Sequence, residues 1–133
     1  MPGTRVLVVD DYPDAADVSC VLLTLLGYDC RIASTGTEAL AIADAFHPEI
    51  VILDIGLPDI TGYDVARALR SRPDGAQMHI AAVTGWGTVE DRARAFEAGF
   101  DQHIVKPTDG TKLRSVLRAA SERRTKPLDA PSP

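Results

Sequence analysis

Short apolar runs alternate along the chain with longer stretches in which apolar positions recur every three or four residues. Arg5–Val9 (RVLVV), Glu49–Leu53 (EIVIL), His79–Val83 (HIAAV) and His103–Val105 (HIV) are near-continuous apolar runs, and Tyr28–Ala33 (YDCRIA) is a weaker one. Continuous runs, rather than strict alternation, mark strands covered on both faces. Between them Ala15, Val18, Leu22, Leu25 and Leu26 keep a helical period. So do Val89, Ala93 and Phe96, and again Leu113, Val116, Leu117 and Ala120.

The punctuation agrees with this alternation. Thr35 followed by Glu38, and Thr88 followed by Asp91, are capping-box patterns that start helices. Pro13 suits a first helical turn, and Gly27 and Gly99 stand where a left-handed C-terminal cap is wanted. The pattern predicts βαβαβαβαβα: a parallel five-stranded sheet with helices on both faces and right-handed crossovers. One α/β domain is expected over residues 1–121. The remaining residues 122–133 (ERRTKPLDAPSP) are polar and proline-bearing, and read as a flexible C-terminal tail.

Composition narrows the function. A chain of 133 residues has room for one domain, and 45% hydrophobic with 25% charged residues excludes disorder over its whole length. The net charge of −5 lacks the basic footprint of a nucleic-acid binder, so no direct DNA binding is expected. Cys20 and Cys30 fit no zinc spacing and read as two buried thiols in a reducing compartment. Only Val6–Val9 precede the acids Asp10 and Asp11, too few for a signal peptide, and no run is long enough for a membrane span. The chain is expected to be soluble and cytoplasmic.

In an open α/β sheet, ligands bind beyond the carboxyl ends of the strands. Strand 1 ends in Asp10 and Asp11, strand 3 in Asp54, strand 4 in Thr84 and Gly85, and strand 5 in Lys106 and Pro107. Each alone is an ordinary turn or cap residue; together on one edge they are not. Three carboxylates repel one another and call for a cation, and hard oxygen donors suit Mg²⁺. With the Lys106 ammonium, such an edge makes a pocket for a phosphoryl group. An aspartate can accept that group as an acyl phosphate. In the expected strand order 2-1-3-4-5, Asp54 is central and is the candidate acceptor.

The segments VLVVDD, VILDIGLPDITG, AAVTG and HIVKP resemble the receiver domain of two-component response regulators, over about residues 4–121. The resemblance implies a flavodoxin-like fold and phosphorylation of Asp54 by a histidine kinase or histidine phosphotransfer protein. It implies Mg²⁺ held by Asp10, Asp11, Asp54 and the backbone carbonyl of Gly56. Thr84 and Lys106 would bind phosphoryl oxygens, and the Lys106–Pro107 peptide bond would be cis. Phosphorylation would switch the α4-β5-α5 face, the segment from about Thr88 to Arg123, for a downstream protein target. The chain would then be a signalling phosphoacceptor, not an enzyme, although it assists its own phosphorylation and dephosphorylation.

Several positions depart from the family pattern. His103 replaces the usual aromatic switch residue and is a switch candidate together with Thr84, with a charge that can respond near neutral pH. Gly56 and Trp86 occupy the variable positions that flank the acceptor and bear on phosphate lifetime. Thr108 after the Lys-Pro pair resembles receivers attached to hybrid histidine kinases, whereas Met1 close to the first strand favours a stand-alone regulator. A second reading, a Mg²⁺-dependent aspartyl-phosphate phosphohydrolase, needs a cap for which the chain has no room. A third, a flavin-binding protein, is disfavoured by the acids of DDYPDAAD.

Overall fold

The computed structural model describes residues 3–85 and 87–125, with side chains as far as Arg123. Trp86 and residues 126–133 of the expected tail lie outside the described residues. Five strands alternate with five helices: β1 (Arg5–Val9), α1 (Pro13–Leu25), β2 (Asp29–Ala33), α2 (Gly36–Phe46), β3 (Ile50–Asp54), α3 (Gly62–Arg70), β4 (His79–Thr84), α4 (Val89–Glu97), β5 (Gln102–Val105) and α5 (Gly110–Thr125). A short 3₁₀ turn at Gly75–Gln77 precedes β4. Helix α5 runs past residue 121, the expected end of the domain.

All pairings are parallel and the strand order is β2-β1-β3-β4-β5, as expected. Each near-continuous apolar run divides by the two-residue period of a strand. Val6, Val8, Ile50, Ile52, Ala81, Val83 and Ile104 point to the layer of α1 and α5. Leu7, Val9, Val51, Leu53, Ile80 and Ala82 point to the layer of α2, α3 and α4. Leu7, Leu53 and Ile80 are fully buried, and each such side chain stabilises the fold by about 2–3 kcal/mol.

The predicted caps are present. Thr35 accepts the Glu38 amide at 3.0 Å and the Glu38 carboxylate accepts the Ser34 amide at 2.9 Å. Thr88 accepts the Asp91 amide at 3.1 Å. Thr61 caps α3 in the same way, taking the Asp64 amide at 3.2 Å, and carries the same Thr-x-x-acid spacing as the other two. Pro13 opens α1. Gly27 and Gly99 end their helices at φ of 94° and 104°, a region costly for other residues.

Two helices turn a different face to the sheet from the one their periodicity suggests. In α1 the buried line is Ala16, Ser19 and Leu23, while Val18, Leu25 and Leu26 are exposed. In α4 only Ala95 is buried, and Val89 and Phe96 are exposed. Helix α1 carries apolar residues around much of its circumference, so period alone does not choose a face; α4 is mostly charged, and its one apolar stripe (Val89, Ala93, Phe96) is not the side that holds the buried Ala95. Small residues (Ala16, Ser19, Ala95) let the backbone approach the sheet closely, and packing density decides. In α5, by contrast, Leu113, Val116, Leu117 and Ala120 are buried as expected. Cys20 and Cys30 are half-buried rather than buried, on α1 and the edge strand β2.

Candidate functional site

Strand parity places the site. Val8 and Ile52 face the α1/α5 layer, so Asp10 and Asp54, two residues on, continue toward the same side. Ile104 also faces that layer, and Lys106 follows it with the same parity. The consequence is direct: the Lys106 ammonium donates to Asp54 Oδ2 at 2.9 Å across 52 residues of sequence. Asp54 is 3% exposed at the end of β3. Its other oxygen, Oδ1, accepts the amide of Gly56 at 3.0 Å.

Asp10, Asp11 and Asp54 each bring an oxygen within 4.8 Å of the others. At that separation a pair of carboxylates repels by about 1–3 kcal/mol between the limits of bulk water and a protein surface. One ammonium does not offset three carboxylates. Asp10 is held by its surroundings: Oδ1 accepts the Tyr12 amide at 2.9 Å. Burial pushes its pKa up against that hydrogen bond and the pull of Lys106, helped by the charges of Asp54 and Asp11. Burial alone would pull Lys106 down, but the hydrogen bond and charge of Asp54, with the charges of Asp10 and Asp11, hold it above the usual lysine range. An all-oxygen, net-negative donor set that is part buried and part open matches a hard divalent cation such as Mg²⁺. A cleft of about 870 Å³ opens over these residues, bounded by Asp10, Asp11, Asp54 and Lys106 and, from α1, by Ala15 and Val18.

Thr84 and His103 stand on the other face. In β4 Thr84 shares the side of Ala82, toward α4, and His103 pairs in register with Ala82. Thr84 is 9% exposed, and its carbonyl accepts the Lys106 amide at 2.8 Å, which ties the ends of β4 and β5 together. Both ring nitrogens of His103 are buried without a hydrogen-bond partner among the described residues. Burial, and then the nearby Arg92, push its pKa down, while Asp91 opposes them. The structure thus gathers Asp10, Asp11, Asp54, Gly56 and Lys106 on one side and sets Thr84 and His103 behind them. The Lys106–Pro107 peptide is cis, as expected.

One residue of this edge has partners that no local pattern in the sequence points to. Asp59, in the loop after β3, accepts the Gly36 amide at 2.8 Å, the Thr37 amide at 2.9 Å and the Thr37 hydroxyl at 2.5 Å. The Thr37 hydroxyl first, then the amides, hold its carboxyl well below the usual carboxylate range. Its partners lie 22 to 23 residues away in sequence, so no local motif reveals it. Gly62, which closes the same loop, has no room for a side chain: a Cβ there would lie 2.6 Å from Ile55 Cα.

A parallel 2-1-3-4-5 sheet carrying an acid triad and a lysine at its carboxyl edge defines a class of phosphoacceptor domain. Residues 6–118 match the family model of the response regulator receiver domain, and the chain belongs to that family. It is 37% identical over 130 residues to the transcriptional regulatory protein KdpE of Mycobacterium tuberculosis, covering 98% of this chain and 56% of that protein. It is 30% identical over 119 residues to the DNA-binding dual master transcriptional regulator RpaA of Synechocystis, covering 90% of this chain and 49% of that one. The crystal structure of a CheY-like response regulator receiver domain protein from Methanospirillum hungatei JF-1 superposes with a TM-score of 0.82 at 29% identity, over 92% of this chain and 97% of that one.

The chain spans about half the length of the curated relatives it matches. The expectation of no DNA binding is not borne out by these comparisons, because such relatives are DNA-binding and transcriptional regulators. Net charge describes this segment and carries no information on the other half of those proteins. Among the described residues no helix is long and apolar enough to cross a membrane.

Proposed function

We propose that this receiver takes its phosphoryl group on Asp54, from a histidine kinase or histidine phosphotransfer protein in the cytoplasm. The observation that carries the assignment is the position of Asp54: buried, central in the sheet, bonded to Lys106 and grouped with Asp10 and Asp11. In the transfer, an Asp54 carboxylate oxygen attacks phosphorus as the phosphorus–nitrogen bond of the donor histidine breaks. The electron pair leaves on the imidazole nitrogen, and an acyl phosphate remains on Asp54. Asp10, Asp11, Asp54 and the Gly56 carbonyl would hold Mg²⁺, which when bound offsets the charge gathering on the phosphoryl oxygens.

Lys106 exchanges its hydrogen bond from the free carboxylate to a phosphoryl oxygen, so its charge stays paired throughout. The Gly56 amide, already on Asp54 Oδ1, fixes the carboxylate's orientation. Thr84 turns its hydroxyl to the phosphoryl group from the α4 side, and the space it leaves is filled by the His103 ring. That coupled step alters the α4-β5-α5 face presented to a downstream protein. Its support is the shared sheet face of Thr84 and His103 and the His103 ring, whose buried nitrogens have no partner among the described residues.

Treatment with acetyl phosphate, read by intact mass, tests the assignment. The natural chain should gain one phosphate with Mg²⁺ and none with a chelator, and Asp54→Asn should gain none. A phosphate adduct of undiminished yield on Asp54→Asn would overturn it.

A further inference from the structure

We propose that Asp59 is a positioning residue for the acid cluster, holding Gly56 against Asp54 by anchoring the β3–α3 loop to the first turn of α2. This rests on the phosphoacceptor reading above and adds a residue to it. The loop, residues 55–61, begins at the site: Gly56 donates its amide to Asp54 Oδ1 at 3.0 Å. At its base the loop is closed on itself by the amides of Leu57 and Gly62, both donating to the Ile55 carbonyl. Its middle is tied to α2 in two ways. Asp59 takes the Gly36 amide at 2.8 Å, the Thr37 amide at 2.9 Å and the Thr37 hydroxyl at 2.5 Å. Beside it the Ile60 side chain lies over Gly36 so closely that a Cβ at residue 36 would collide with it, and would stand 2.8 Å from Val65 Cγ2.

Helix α2 does not need Asp59 in order to start. Thr35 already accepts the Glu38 amide at 3.0 Å, and Glu38 returns the bond to the Ser34 amide at 2.9 Å. Asp59 takes two of the amides that this box leaves over, those of Gly36 and Thr37. An aspartate reaching from another loop therefore joins two elements rather than merely capping one. An exposed loop closed only at its base fluctuates at low cost, whereas a metal and phosphoryl site tolerates displacements of only about 0.5 Å. Fixing the far end of the loop fixes the Gly56 amide, and with it the Asp54 carboxylate and the Gly56 carbonyl proposed as a metal ligand.

The test uses the full chain and four variants: Asp59→Ala, Asp59→Asn, Thr37→Val and, as control, Asp54→Asn. Mg²⁺ affinity is read by calorimetry, phosphorylation by acetyl phosphate through intact mass, and exchange of the Gly56 amide by NMR in metal-free protein. Asp59→Ala should weaken Mg²⁺ binding and slow phosphorylation by about tenfold, as loss of a group that orients metal ligands does, with faster Gly56 exchange and a native circular-dichroism spectrum. Asp59→Asn, which keeps an acceptor for one amide, should recover most of the loss, and Thr37→Val should show a smaller effect in the same direction. If Asp59→Ala lowers the urea midpoint but leaves Mg²⁺ affinity, phosphorylation rate and Gly56 exchange at natural values, Asp59 is only a helix cap and the proposal is wrong. Should Asp59→Ala not fold, unchanged values in both Asp59→Asn and Thr37→Val overturn the proposal equally. A phosphate adduct on Asp54→Asn would instead sink the underlying site reading, so the two failures are separable.

Discussion

The two ends of the sheet treat charge in opposite ways. At the amino end of β4 and β5, Arg70 donates to the carbonyls of Gly99 at 2.8 Å and of Gly75 and Met78 at 2.7 Å, and to Asp101 at 2.5 Å. Arg123 from α5 adds bonds to the Ala76 and Met78 carbonyls and to Asp101 at 3.1 Å. Asp101 in turn accepts the Ile80 amide at 2.9 Å. Two guanidinium groups and one carboxylate are spread over the carbonyls of the surrounding turns, and each of the three faces a partner of opposite charge. At the carboxyl end, three carboxylates face one ammonium beneath an open cleft. A paired charge network tightens a fold, while an uncompensated one keeps a place for something that arrives later.

The contrast makes the variants at the two ends diverge. The largest effect is expected at the amino end. Arg70→Ala takes a charged donor from three carbonyls and from Asp101, and should lower stability by about 3 kcal/mol or more in urea unfolding. The folded fraction should still accept phosphate on Asp54. Loss of phosphorylation from a natively folded Arg70→Ala protein would break the division between the ends.

At the open end the sign reverses. Asp10→Asn removes one of the repelling charges and should stabilise the metal-free domain by about 1 kcal/mol at neutral pH, while weakening Mg²⁺ binding at least tenfold. The raised pKa of Asp10 sets the pH window. Above its folded pKa the ionised carboxylate costs stability; below the unfolded value of 3.8 it is protonated in both states and costs nothing. The advantage of Asp10→Asn should therefore be present at pH 7 and vanish on acidification through that range. Equal urea midpoints for the two proteins at pH 7 would show that Asp10 is already satisfied.

The smallest effect belongs to His103. Its pKa is pushed down in the folded chain by burial and by Arg92, with Asp91 opposing. A base with a depressed folded pKa leaves stability untouched above its unfolded pKa of 6.5, and stability falls as pH drops below it. His103→Phe should lose less stability between pH 7.5 and 5.5 than the natural chain, a difference read from paired urea titrations. Parallel losses would place the ring's proton outside the energetics of the fold and weaken its role as a switch.

Much of this is legible in the sequence where local chemistry is decisive. The apolar runs locate all five strands to within a residue or so, and Thr35, Thr88, Pro13 and the two glycines mark helix ends. Asp10, Asp11, Asp54 and Lys106 can be grouped because strand ends on one edge of a parallel sheet are neighbours whatever the loops do. The faces of α1 and α4 are not legible. Helix α1 offers more than one apolar stripe, and in α4 the apolar stripe is not the buried side; only the fit of Ala16, Ser19 and Ala95 against the sheet selects the faces.

Element types, their order and the identity of the charged edge are therefore written locally in the chain. A strand's period of two, a cap's hydroxyl and a proline's ring act over a few residues and need no partner far along the sequence. Whatever depends on distance across the sheet waits for the packed fold. Lys106 meets Asp54 because β3, β4 and β5 lie side by side with matching parity; Arg70 and Arg123 converge on Asp101; and Asp59 reaches the amides of Gly36 and Thr37. Hydrogen bonds and ion pairs act over about 3 Å. Which side chains come that close across 22 to 52 residues of sequence is fixed only when the strands pair and the helices settle against them.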